Sequence, residues 1–327
     1  FNATRTVVAD ATRFQWLYNS NPDGRAVIWS LRRSDTNEMV GFTACLPRTM
    51  IVNGTAKRAW IGSDFSILPK YRTLGLAVRL RRAAKEAIEA GEVDMLYAHP
   101  NDRMAVIHKR AGHIPVGVMQ RYARPLRTGP MLQERIGNRL LSSAAEIALD
   151  PLLKLADPEK RTRRRYRVEQ HSADSFDTCF DQLFEEHCPA NTVIGCRGSR
   201  YLNWRYGENP LYESHVLTAY ENDGLAGYLV WTVEDDSIVV KDLFPATSSV
   251  ARDLLARVTR LGRERKVRSA TLTVSVHHPL EKVLTEFGYK PRAEQSQMYA
   301  FFSPHLDQAD HVIEPARWHI TVGDRDV

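Results

Sequence analysis

The stretch Ser63-Asp64-Phe65-Ser66-Ile67-Leu68-Pro69-Lys70-Tyr71-Arg72-Thr73-Leu74-Gly75-Leu76-Ala77 reads as a strand, a turn and the start of a helix. Ile61, Phe65 and Ile67 alternate on one face of the strand, with Trp60, Gly62, Asp64 and Ser66 on the other. Pro69 ends the strand, since it offers no N–H to a ladder. Leu76, Leu80, Ala83, Ala84, Ala87 and Ile88 then mark one helix face and Gly91 caps it, while Arg79, Arg82, Lys85, Glu86 and Glu89 fall on the solvent side. The turn itself is Arg-x-x-Gly-x-Ala at a helix N-terminus. Such a turn leaves backbone N–H groups pointing outward at the positive end of the helix dipole. Gly75 and Ala77 let an anion approach the backbone closely, and Lys70 and Arg72 add charge, so the turn suits a diphosphate. The pattern is weak by itself. The strand before it and the helix after it give it weight.

Outward from this stretch, the periodicity predicts strands at 26–31, 38–52, 58–68, 93–98 and 116–125, with helices at 74–90 and 102–111. A second series follows, with strands at 214–220, 225–234, 237–244, 270–276 and 295–302 and helices at 248–264 and 280–287. Asn53-Gly54 and Asp235-Asp236 are hairpin turns at equivalent places. The two series are copies. Trp16 and Trp204 stand 188 residues apart, as do Pro22 and Pro210. Gly41 and Gly227 follow at 186, Asp64 and Asp242 at 178, and Gly112 and Gly288 at 176. Ordered matches at a slowly drifting offset are the mark of a duplication whose loops have changed length. Each copy then folds as a mixed, mostly antiparallel sheet flanked by helices, an α/β (α+β) class. The expected units are 1–128, a linker at 129–167, and 168–327.

Residues Leu68 to Ala77 resemble the acyl-CoA pyrophosphate motif of the GCN5-related N-acetyltransferase (GNAT) superfamily. Asn101-x-x-x-Ala105-x-x-His108-x-x-x-Gly112-His113 resembles that family's later helix. The resemblance carries specific motifs over 26–125 and topology alone over 214–302. It implies an acyl-CoA co-substrate, acetyl-CoA or a longer thioester. Ser66, Ile67 and Leu68 would offer backbone donors to thioester and pantetheine, and Arg72, Thr73, Leu74, Gly75, Leu76 and Ala77 would hold the pyrophosphate. Asn101 either caps its helix or meets the pantetheine arm. In the second copy the loop after Asp242 is Leu243-Phe244-Pro245-Ala246-Thr247, without the motif, so that copy is not expected to bind CoA this way. The tandem form, opening its second copy on Trp204-Arg205-Tyr206, resembles bacterial N-acyltransferases of amino-sugar and surface-polysaccharide synthesis.

Acyl transfer to an amine needs a base for the amine, donors for the oxyanion and an acid for the thiolate. Asp64, two residues before Ser66, is the candidate base, or else a structural carboxylate paired with an arginine. His108 stands where the family often has a tyrosine acid, and is otherwise a histidine on a helix face. On the second copy Trp204, Arg205, Asp242, His277 and His278 are the candidate acceptor-side residues, with packing favoured for Trp16 and Trp204. No third ligand stands at metal spacing beside His277-His278, so no metal is expected. Residues 318–324 have strand character and are expected to pack against a module edge.

The 327 residues suit two domains at about 150 residues each. With 43% hydrophobic and 26% charged residues, both copies can build a core. No run of about 18 apolar residues is present, so no membrane span is expected. Cys45, Cys179, Cys188 and Cys196 show no C-x-x-C pair and read as reduced thiols of a cytoplasmic protein. The net charge of +6 suits phosphate-bearing ligands without specifying nucleic acid. In the linker, Leu132, Ile136, Leu140, Leu141, Ala144, Ile147 and Ala148 predict a helix, packed across both copies or lying on a membrane surface. The basic run 160–167 is a solvated linker or a phosphate-binding segment. The leading function is thus acyl-CoA-dependent N-acylation of a small amine, a nucleotide-linked amino sugar in the resemblance. A tandem aminoacyl or peptidyl transferase and a non-catalytic CoA- or nucleotide-binding module are the alternatives. Oligomeric state is not written in the sequence.

Overall fold

The alternation before Pro69 and the 3.6-residue stripe after it fold as strand and helix in a computed structural model, which describes residues 10–129, 165–174, 176–307 and 312–326. The predicted linker helix, and the basic run up to residue 164, lie outside the described residues.

The first copy opens on α1 (Ala11–Phe14), which runs into a π-helical turn at Gln15–Asn19. Then come β1 (Val27–Arg32), β2 (Met39–Val52) and β3 (Thr55–Ile67), joined by the Asn53-Gly54 hairpin. Asn53 and Gly54 both take positive φ, 49° and 79°, as that tight turn requires. Helix α2 (Leu74–Glu89), β4 (Met95–Ala98), α3 (Asp102–Arg110) and β5 (Ile114–Pro125) complete it. The second copy begins with β6 (Arg167–Ser172), α4 (Thr178–His187) and β7 (Val193–Gly195), three short elements that the periodicity does not reveal. Helix α5 (Ser199–Leu202) and a π-helical turn at Asn203–Gly207 repeat the opening of the first copy. Next are β8 (His215–Glu221), β9 (Gly224–Glu234), β10 (Ser237–Pro245), α6 (Ser248–Glu264), β11 (Ser269–Ser275), α7 (Leu280–Glu286) and β12 (Lys290–Phe302).

The strands form one sheet in the order β1-β2-β3-β4-β12-β5-β11-β10-β9-β8-β6, with β7 added to β2. Read outward from its centre, β12-β4-β3-β2-β1 mirrors β5-β11-β10-β9-β8. The closing strands are therefore exchanged between copies. β12 pairs with β4 through Tyr299↔Ala98 and its neighbours, and β5 pairs with β11 from Ser269↔Pro125 to Ser275↔Met119. Two-sided burial follows the exchange. One apolar cluster runs through both copies, joining Trp16, Tyr97, Met119, Trp204, Tyr228 and Trp318. A second lies under α6, and a third, with Cys45, Trp60, Ala84, Ile88, Leu96 and Ala98, under α2. The four cysteines are free thiols, and no described helix is long and apolar enough to cross a membrane.

Candidate functional site

Strands β3 and β4 pair in parallel at only three positions, Ala59↔Met95, Trp60↔Leu96 and Ile61↔Tyr97. β3 continues to Ile67, whereas β4 ends at Ala98 and gives its other edge to β12. From Gly62 to Ile67 the outer edge of β3 thus has no strand neighbour among the described residues, and a split opens between the strands. Ser66 and Ile67 lie on that edge, paired on the inner side with Phe42 and Gly41, and Leu68 donates its N–H to the Val40 carbonyl at 2.9 Å.

The turn at the mouth of the split is a 3-10 turn at Pro69–Tyr71 followed by Thr73 as N-cap of α2. The Thr73 hydroxyl accepts from the Leu76 N–H at 3.4 Å, and its carbonyl takes the Ala77 N–H at 3.2 Å. The amide of Gly75 has no hydrogen-bond partner among the described residues. An amide at a helix N-terminus with no internal partner is an anion donor in waiting. A Cβ at Gly75 would meet nothing within 4 Å, so the backbone there is open to a ligand. Arg72 folds back, its Nε donating to the Ile67 carbonyl at 2.9 Å, and braces the turn against the strand end. Gly75, Arg79, Arg82 and Arg110, with the one acid Glu86, line a groove that continues along α2 and α3.

Asp64 is the extra residue of a β-bulge, since Thr43 pairs with Phe65 and Ala44 with Ser63, and its φ is 31°. Its carboxylate is buried and engaged. Arg13 reaches it at 2.9 and 3.2 Å, and the Tyr18 hydroxyl donates to it at 2.7 Å. Neither partner carried a functional reading in the sequence, because Arg13 lies 51 residues away on the repeated opening helix.

His108 is buried on α3, its Nδ1 3.2 Å from His113 Nδ1 and its ring 6.1 Å from that of Tyr299. Burial, with Arg81 nearby, holds its pKa far below the ordinary imidazole value and brings His113 to about 3, so both rings are neutral. Asn101 is the N-cap of α3, accepting from the Met104 N–H at 3.1 Å. One imidazole was not singled out by the sequence. His99 follows the last residue of β4, is 9% exposed, and has both ring nitrogens without a hydrogen-bond partner. Burial, helped by Arg325, takes its pKa to about 3.

The second copy has the same split and fills it. β10 and β11 pair in parallel from Ser237↔Ser269 to Val240↔Leu272, then part. Into the gap comes the chain after Trp318. Thr321 bridges Val274, and the Ser275 N–H donates to the Ile320 carbonyl at 2.9 Å. The strand character of 318–324 is thus reduced to two bridges and a capped 3-10 turn at Val322–Asp324, with Thr321 and Asp324 capping reciprocally. Asp242 accepts from Arg197 Nε at 3.1 Å, the Tyr228 hydroxyl at 3.0 Å and the Thr321 hydroxyl at 2.9 Å. Asp324 joins Arg197 at 2.6 Å to Arg48 of the first copy at 3.1 Å. Burial alone would raise the Asp324 carboxyl, yet Arg197 and Arg48 hold it below its ordinary value. Arg205 donates to the Arg325 carbonyl at 2.9 Å, and Trp204 packs against Trp16. His277 is exposed at φ 70°, while His278 lies 5.2 Å from the ring of His319. So Arg205 and Asp242 meet the inserted segment, Trp204 packs against Trp16 instead, and the histidine pair stands at the end of β11.

No family model matches the chain, and no curated protein does. Solved structures do. A conserved protein of unknown function from Enterococcus faecalis, described as a probable N-acyltransferase, superposes with a TM-score of 0.64 at 12% identity, over 89% of this chain and 64% of that one. A GCN5-related N-acetyltransferase from Anabaena variabilis gives 0.62 at 14%, over 88% and 64%. A tandem GNAT protein from the clavulanic acid biosynthesis pathway gives 0.52 at 14%, over 88% and 85%. The chain therefore spans just under two thirds of the length of the first two. At these identities the likeness is one of fold: the chain has the architecture of tandem GCN5-related N-acetyltransferases.

Proposed function

We propose that the protein is an acyl-CoA-dependent N-acyltransferase with one cofactor site, in the first copy. The carrying observation is the asymmetry of the two splits. The first has an open strand edge and a helix N-terminus with an unengaged Gly75 amide and open space around Gly75 at its mouth. The second is filled by residues 319–324, and although its helix α6 opens on an equivalent Thr247 cap, it lacks the Arg-x-x-Gly-x-Ala sequence and carries Ser249 where the first copy has Gly75. The residues fit acyl-CoA: the turn meets the pyrophosphate, the basic groove takes the adenosine end, and the edge at Ser66, Ile67 and Leu68 meets the pantetheine amides.

The chemistry is aminolysis of a thioester. The bound acyl-CoA supplies the activated carbonyl, and the chain must align an amine and manage one proton. Asp64 at the bulge and His99 at the end of β4 flank the region where the split closes. His99 is neutral and unpartnered, so it can accept a hydrogen bond from the amine. Asp64 acts with Arg13 and Tyr18 as one unit, and the Tyr18 hydroxyl is its route to the proton. His108 would act through His113, whose ring nitrogen lies 3.2 Å from its own. The acceptor in this reading is a nucleotide-linked amino sugar, supported by the net positive charge and by the tandem form with its Trp204-Arg205-Tyr206 opening; His277 and His278 lie on the acceptor side.

Thiol release from acetyl-CoA tests this across a panel of nucleotide-linked amino sugars. Release above the acceptor-free background is expected with at least one member. Bound CoA with no release across the panel would favour a non-catalytic CoA-binding module.

A further inference from the structure

The split of the first copy ends at a buried cation. Arg81 stands on α2, four residues after Ala77 and three before Ala84, and so points into the apolar side of the helix. It is 2% exposed, and its Nε and Nη1 have no hydrogen-bond partner. No carboxylate lies within ion-pair distance among the described residues. Of the other buried arginines, Arg13, Arg48 and Arg197 pair with Asp64, Asp324 and Asp242, while Arg205 is held by the Val322 and Arg325 carbonyls and Arg124 donates to Thr259. Among the described residues, the groups that face Arg81 are neutral apart from one distant acid. Cys45 is a buried thiol whose pKa is pushed up to about 11, Phe65 lies 5.6 Å from the guanidinium carbon, and His108 and His113 are neutral. Asp326 approaches without forming an ion pair. A buried charge is costly unless something pairs it.

The guanidinium also marks a place. Gly62 and Ala98 are the first residues beyond the last β3–β4 pair, and a Cβ at Gly62 would lie 3.0 Å from Arg81 Nη1 and 3.2 Å from Ala98 Cβ. Arg81 therefore closes the apex of the split behind its two smallest wall residues. From Ile67 at the mouth to Gly62 at the apex is five residues of strand, roughly 17 Å, comparable to an extended pantetheine arm. Given the acyl-CoA reading above, on which this inference rests, the acyl group reaches the apex last.

We propose that the acyl group accepted here ends in a carboxylate, as in a CoA monothioester of a dicarboxylic acid of the succinyl kind, and that Arg81 binds it. A planar guanidinium pairs with a carboxylate through two parallel hydrogen bonds, which a methyl group cannot offer. The transfer is otherwise unchanged. The amine nitrogen bonds to the thioester carbon, the C–S bond breaks, the amine proton ends on the departing sulfur, and the terminal carboxylate passes unreacted into the product.

Calorimetry on the full chain with CoA, acetyl-CoA and succinyl-CoA tests this. Succinyl-CoA is expected to bind about tenfold more tightly than acetyl-CoA or better, the range of one charge-assisted pair. Arg81→Met is expected to erase that difference, and Arg81→Lys to retain part of it. Equal affinities for the two thioesters in the native chain would overturn the proposal even if Arg81→Met fails to fold. So would equal weakening of both by Arg81→Met, which would put Arg81 at the shared thioester. Absence of binding by all three ligands would instead overturn the acyl-CoA reading itself, and this proposal with it.

Discussion

The indole N–H groups of Trp16 and Trp204 each donate to the other residue's backbone carbonyl, at 2.8 and 3.1 Å, with their rings stacked 5.2 Å apart. The exchange is reciprocal because both residues sit in π-helical turns 188 positions apart, one in each copy. The repeat seen along the chain is thus also the contact that locks its two copies together. Trp16→Phe keeps the apolar bulk but leaves a buried carbonyl unpaired, at a cost of about 1–3 kcal/mol. Trp16→Ala removes the ring as well and should cost about 3–5 kcal/mol. Urea unfolding followed by circular dichroism reads both, and an unperturbed midpoint in Trp16→Ala would deny the pair this role.

Asp64 is tied to Arg13 and Tyr18 at the bulge. Asp64→Ala therefore strands a buried guanidinium and should destabilise by about 3–5 kcal/mol. The double variant Arg13→Met with Asp64→Leu removes both charges and should recover much of that loss. A double variant as unstable as the sum of the singles would show that Arg13 and Asp64 do not act as a pair.

Acid should loosen the fold well before its carboxylates titrate. Burial lowers His99 and His113 to about 3 and His319 to about 4, from an ordinary 6.5. In the unfolded chain these rings gain protons near pH 6.5, while the folded chain resists until pH 3–4. The unfolded state thus binds more protons in that window. Stability present above the unfolded value falls as pH drops through it, by up to about 1.4 kcal/mol per pH unit for each ring. Melting temperatures at pH 7.5 and 5.5 check this; equal values would mean that the rings are not held neutral.

The inserted segment depends on Asp324, which joins Arg48 and Arg197. Asp324→Asn should destabilise by about 3–5 kcal/mol, moderated by the contact Arg197 keeps with Asp242. Because the folded carboxyl lies below its ordinary 3.8, this contribution is present above that value and is lost only as pH falls through the folded one. Limited proteolysis should then cut the Asp324→Asn variant near residues 318–326, and full protection would argue that other contacts hold the segment.

Local features were legible in the sequence and long-range ones were not. Pro69, Thr73 and Gly75 dictate the turn through backbone chemistry confined to a few residues, so strand, turn and helix were readable to within a few positions. The strand exchange was hidden, because the pattern of a strand does not say which distant strand it pairs with, and β5 and β12 lie more than 150 residues apart. Arg81 sits on the apolar stripe of α2, between Ala77 and Ala84, and that misplaced charge was the one signal that could have singled it out. The filling of the second split was unreadable, since Asp324 meets partners 276 and 127 residues away.

Titration of acetyl-CoA into the native chain, beside the Gly75→Trp variant, tests the central claim most directly. Gly75 has open space around it, so the indole leaves the helix intact and covers the Gly75 amide. The account predicts one molecule bound per chain, and an affinity about tenfold weaker or worse in Gly75→Trp with an unchanged melting temperature. No binding, two equal sites, or binding indifferent to Gly75→Trp would contradict it.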